Sequence, residues 1–272
     1  MTVRATRRVT LAIVVALAFL GLRYAIQQYD TSDFRGHYFS GWLLMSAVAL
    51  LLLFSARKRI SVLPLGRAYL WAQTHNVLGI LASLLLLLHV DEWWPSGLFE
   101  RLLLVFALAT LVTGLCGIVL NRIIPPQMRK RGERLFLSRI KTQQSVLREA
   151  IRMRIVEAIE NGGSRYLLEF YDSQLVPQLA GIRNIPSHLI GSSGPYESWQ
   201  RRFKQADAYF GSKDREAVRA IEAMLQQKTD LDFQFVMQVV LRGWVVIHVM
   251  FSALLALCAV LHLVLVYSFG GV

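Results

Sequence analysis

Cysteine is scarce in this 272-residue chain, which holds only Cys116 and Cys258. Cysteine-ligated iron–sulfur clusters need about four thiolates, so none can be built here. No Cys-x-x-Cys-His occurs, which excludes covalent attachment of a haem. Both cysteines fall in the middle of apolar runs, where small apolar filling is the expected role. There is no Gly-x-Gly-x-x-Gly and no other phosphate-cradling loop, and Gly162-Gly163 alone reads as a turn. Acidic residues are also few, 18 against 30 Lys and Arg, leaving a formal net charge of +12.

Against those absences stands an apolar content of 54%. A soluble chain seldom joins that value to so high a charge, because its charges would have to coat far more surface. Five stretches predict membrane-spanning helices, at about 9–26, 41–56, 68–90, 98–123 and 243–269. The second is short and is expected to begin nearer His37. Arg4, Arg7 and Arg8 precede the first run, and Arg57, Lys58, Arg59 and Arg67 follow the second. The segment 121–242 carries 20 Lys and Arg against 13 Asp and Glu. The remaining loops hold Asp30, Asp33, Asp91, Glu92 and Glu100 with only Arg23, Arg35 and Arg101. By the positive-inside rule the N-terminus and the long segment are cytoplasmic, and the C-terminus is on the periplasmic side of the inner membrane. Arg7, Arg8 and Ala16-Leu17-Ala18 have the look of a signal peptide. A cut there would halve an apolar run that continues to Ile26, so an uncleaved anchor helix is expected. The expected fold is an all-α integral membrane protein. Helices one to four occupy 1–123, a basic, mainly helical cytoplasmic insertion 124–240, and the fifth helix 241–272.

Four of the six histidines form two matched pairs, His75 with His89 and His248 with His262, each fourteen positions apart. Fourteen steps of an α-helix return a side chain to within about 40° of its starting direction and climb roughly 21 Å. Each helix therefore shows one imidazole near each membrane face, on one side. The third and fifth runs are parallel, so His75 meets His248 on the inner side and His89 meets His262 on the outer. Intramembrane ionisable residues are rare and functional by default. Two imidazoles fall two ligands short of a tetrahedral zinc site, and no Asp, Glu or paired Cys stands midway along these runs. Haem iron asks for only two axial ligands, which facing helices of a bundle supply. The expectation is two non-covalent b haems. Gly79, one turn from His75, and Gly114 and Gly117 near Thr113 would let helices or a porphyrin approach closely. Arg67 and Arg242 on the inside, with Arg101 and Arg35 outside, are candidate counter-charges for haem propionates. Each imidazole is expected to donate its other N–H to a backbone carbonyl or a nearby side chain. Trp93 and Trp94 suit an aromatic interfacial belt, and His37 a solvated loop or the border of a quinone pocket.

These residues resemble the dihaem cytochrome b superfamily. Respiratory cytochromes b and the ferric reductase/NADPH oxidase group both carry two His at about this interval on each of two alternate helices. The resemblance covers the second to fifth runs and rests on His75, His89, His248 and His262. It implies that those four runs form a four-helix dihaem bundle. Ferric reductases add a sixth span and a C-terminal flavin- and nicotinamide-binding domain, which this sequence does not show. The Pro-Glu-Trp-Tyr quinol-site signature of respiratory cytochrome b is also missing. The expected role is therefore transmembrane electron transfer as one subunit of a redox complex. An iron–sulfur or flavin protein, a c-type cytochrome and quinone are the candidate partners; nucleic acid is not. Two alternatives stay open: an enzyme that reduces metal or oxidises quinol at the outer haem, and a non-redox transporter of metal or protons.

In the insertion, 129–160 reads as a long amphipathic helix with Leu135, Leu137, Ile140, Val146, Ile151 and Ile155 among its apolar positions, stopped by Asn161-Gly162-Gly163. Residues 166–179 read as a short helix or a strand, 181–195 as loop, and 198–210 and 214–228 as helices. His188, with no Cys or second His nearby, is expected at the surface. A net charge of +7 over 121–242 fits docking to anionic lipid or an acidic redox partner.

Overall fold

Long apolar runs with few breakers satisfy their backbone N–H and C=O groups most simply as helices. Every regular element among the described residues of the computed structural model is helical. Those residues are 3–29, 35–57, 68–90, 94–133, 135–192 and 194–269. In order come α1 (Val3–Tyr29), α2 (Arg35–Arg57), α3 (Ala68–His89), α4 (Leu98–Lys130), α5 (Leu137–Glu160), α6 (Arg165–Phe170), α7 (Val176–Leu179), α8 (Ile185–Leu189), α9 (Gly194–Ala206) and α10 (Asp214–Phe269). Three of them, α3, α4 and α10, are long and apolar enough to cross a membrane. The helices α1 and α2 carry shorter apolar stretches, Ile13–Gln28 and Tyr38–Leu53.

The chain divides into two compact units, Met1–Ile118 with Trp244–Val272, and Val119–Gly243. In the first, α1 packs against α2 and α3, and α2 against α3. Here α10 reaches α2, α4 and α3 through side chains. Tyr267 accepts a hydrogen bond from Trp42 Nε1 on α2 at 2.9 Å, Trp244 donates to the Thr113 carbonyl on α4, and His248 meets His75 on α3.

The second unit has cores of its own. Along α5, Ile140, Leu147, Ile151 and Ile155 point inward at helical spacing. Ile151 and Ile155 pack with Phe170, Trp199, Phe203 and Ile221. Val146 is not among them: it is 54% exposed, and Leu147 takes the inward position. The expected helix at 129–160 is divided, because Gly132 adopts φ +115° after the end of α4 and Phe136 caps α5. Residues 166–179 are helical, with Ser164 accepting the Tyr166 N–H at 3.0 Å and a π-helical turn (Tyr171–Leu175) joining α6 to α7. The expected loop at 181–195 contains α8, started by Pro186 with its pre-set φ. The expected helix at 214–228 and the last apolar run are one 56-residue helix, α10. No proline interrupts 229–242, and the single Gly243 costs only about 1 kcal/mol.

Candidate functional site

The helix α3 carries His75 and His89, and α10 carries His248 and His262. At one level the His75 and His248 rings face each other edge to face, with centroids 6.4 Å apart and planes at 82°. A metal about 2 Å from each imidazole nitrogen sets the ring centres roughly 6 Å apart, allowing about an ångström of ring on each side. The observed centroid separation is of that size. His248 is further enclosed by α4 and by its own helix. Thr113 Oγ1 lies 2.9 Å from His248 Nδ1, and Trp244 stacks on the imidazole at 5.8 Å and 18°. Trp244 is held in turn by the Nε1 bond to the Thr113 carbonyl, at 2.7 Å. A Cβ on Gly117 would run into that indole, so glycine is required where α4 and α10 approach.

At the other level, His89 Nδ1 lies 2.8 Å from Ser40 Oγ on α2, and His262 stacks on Phe99 at 6.4 Å and 20°. Tyr38 and Trp42, two residues either side of Ser40, both meet Tyr267 near the end of α10. His89 and the last turns of α10 are therefore neighbours of the same stretch of α2, and α3 and α10 run in the same direction. The described contacts bring His75 to His248; to His89 and His262 they give separate neighbours, Ser40 and Phe99.

The remaining expected residues have varied settings. A Cβ on Gly114 would come 3.5 Å from His248 Cε1, whereas one on Gly79 would meet nothing within 4 Å. Arg101 is engaged locally at the start of α4, donating to the Pro95 and Ser96 carbonyls at 2.7 and 3.0 Å and lying over Trp94. Arg242 is exposed. Arg67 and Trp93, and the side chains of Arg35 and His37, lie outside the described residues. Cys116 is exposed on α4 rather than packed as filling. Ser40, Gly41, Trp244 and Phe99 were not expected at the site. A signal for two of them existed: a hydroxyl residue followed by glycine, Ser40-Gly41 and Thr113-Gly114, occurs on the helices that contact His89 and His248.

His188 stands apart and corrects its expected surface position. It is 1% exposed, edge-on to Phe233 at 6.1 Å, and its Nδ1 has no hydrogen-bond partner. Burial, then the charges of Arg131 and Lys228, hold its pKa down at about 4. Nearby, Lys228 is paired with Asp232 in the interior, and Gln144 Nε2 donates to the same carboxylate at 2.6 Å. Among the described residues no three His, Cys, Asp or Glu side chains gather as a metal site, and a two-imidazole site needs no such group. Compared with known proteins, the chain matches no family model, no curated sequence and no solved structure.

Proposed function

We propose that this chain carries electrons across the cytoplasmic membrane through two b haems, one held by His75 and His248, the other by His89 and His262. The observation that carries the reading is the His75–His248 pair, whose ring centres stand 6.4 Å apart on two apolar helices. When bound, haem supplies a reversible one-electron iron centre. The chain supplies axial nitrogens, holds their rings with neighbouring side chains, and provides an apolar surround that tunes potential. In this reading α2, α3, α4 and α10 form the four-helix bundle and α1 is a fifth span. Arg67 and Arg242, with Arg101 and Arg35 at the other face, are the cations available to propionates. The basic second unit is cytoplasmic and meets an iron–sulfur or flavin partner or an anionic lipid surface. A c-type cytochrome or other periplasmic protein completes the route, with quinone as a further partner.

Purified full-length protein should show reduced b-type absorption bands and two haems per chain by pyridine haemochrome assay. A colourless protein after haem-supplemented expression would refute the reading. His75→Ala and His248→Ala should each remove one and the same haem, and His89→Ala and His262→Ala the other. Loss of a common spectral component in His75→Ala and His262→Ala would overturn the pairing.

A further inference from the structure

Resting on the reading above, we infer that Thr113-Gly114 on α4 and Ser40-Gly41 on α2 are matching clasps that orient one imidazole of each pair, Thr113 leaving His248 Nε2 as the atom free to bind metal. The argument for Thr113 is one of proton counting. Its Oγ1 lies 2.8 Å from the Ala109 carbonyl, 3.1 Å from the Thr110 carbonyl and 2.9 Å from His248 Nδ1. A hydroxyl has one proton, and a carbonyl oxygen can only accept. That proton goes to the α4 backbone, so Thr113 offers His248 a lone pair. His248 Nδ1 therefore carries the ring proton and donates it, and Nε2 keeps its lone pair.

At the next position a bare glycine lies against the ring. A Cβ on Gly114 would stand 3.5 Å from His248 Cε1, the carbon between the two ring nitrogens. The same order recurs on α2. Ser40 Oγ is 2.8 Å from His89 Nδ1, and a Cβ on Gly41 would stand 3.3 Å from His89 Cε1. In both places the hydroxyl takes the Nδ1 corner and the bare glycine lies along the adjoining edge. Each clasp serves a different pair, Thr113 the level of His75 and His248, Ser40 the level of His89 and His262.

Thr113 and Ser40 are positioning residues, since they act through the imidazole. A hydrogen bond accepted from Nδ1–H raises the basicity of the ligand, and losing such a partner typically costs roughly 10- to 100-fold in metal affinity. The test uses full-length protein with Thr113→Val, Thr113→Ser and Ser40→Ala. Thr113→Val should raise the midpoint potential of the haem that His248→Ala removes, and loosen its retention. The haem removed by His89→Ala should be unchanged. Thr113→Ser should restore the wild-type values, and Ser40→Ala should reverse which haem is affected. Equal effects of Thr113→Val on both haems, or on neither, overturn the clasp. A second measurement does not need haem. In metal-free protein labelled with 15N-histidine, the His248 signal should report the Nδ1–H tautomer, and Thr113→Val should mix the tautomers. A wild type that binds no haem yet shows this tautomer pattern sinks the electron-transfer reading and keeps the clasp. A His248 tautomer indifferent to Thr113→Val sinks the clasp alone.

Discussion

His188 shows how a single buried group acquires a pH dependence of known sign. Its folded pKa, about 4, lies below the ordinary 6.5, so the unfolded chain takes up the proton first. Stability is intact above about pH 6.5 and falls as the pH drops towards 4, where the loss levels off. Burial pushes the Asp232 carboxyl up, against the pull of Lys228, and a raised carboxyl acts with the opposite sign as pH falls. The clean comparison is therefore wild type against His188→Gln. Thermal unfolding followed by circular dichroism between about pH 7.5 and 4.5 should show the wild type losing more of its midpoint than the variant. Parallel curves would mean that protonating His188 carries no penalty. The glycines of α3 and α4 separate in the same way. Gly117→Ala meets the Trp244 indole and should cost about 1–3 kcal/mol through overpacking. Gly79→Ala enters open space and should leave the unfolding midpoint unchanged or slightly raised.

Among elements, α10 is tied into the second unit by buried polar groups as well as by apolar packing. At its first turn, Asp214 is fully buried and accepts the Ser164 N–H at 2.9 Å and the Gly211 N–H at 2.8 Å. Four turns on, Lys228 reaches the Gly181 carbonyl and Asp232, while Asp232 also takes Gln144 from α5. Breaking one side of a buried pair leaves an uncompensated charge and costs about 3–5 kcal/mol. Lys228→Met should therefore destabilise more than the double change Lys228→Met with Asp232→Leu, measured by denaturant midpoints. The reverse ranking would show that the pair stabilises the fold outright. The helical periodicity of α5 was legible in the sequence because it is local, and so was its stop at Asn161-Gly162. Leu147 rather than Val146 was legible too, since it lies seven positions after Ile140 and four before Ile151, on the face that helical spacing assigns to the core. By contrast, α8 was hidden by its Pro, Asn and Gly composition, and the burial of His188 depends on Phe233, 45 positions away.

For the whole molecule, the fourteen-residue interval made the two histidine levels legible, because the geometry of one helix fixes it. The clasps were not, since their contacts join residues 49 and 135 positions apart. Orientation is a third kind of information, carried by charge that no internal contact records. Segment 121–242 holds 20 basic and 13 acidic residues, whereas the stretch around 91–100 is acidic apart from later Arg101. Under the positive-inside rule that asymmetry is the argument for the cytoplasmic second unit proposed above. Single cysteines at two exposed positions, Ser138→Cys and Ser96→Cys, introduced after Cys116→Ala and Cys258→Ala, test this directly. In intact cells a membrane-impermeant maleimide should label position 96 and spare position 138 until the membrane is opened. The opposite pattern would invert the topology and assign the Thr113 level to the periplasmic face. The helix contacts and both clasps would stand unchanged, because they depend on packing within the first unit and not on which side of the bilayer it faces.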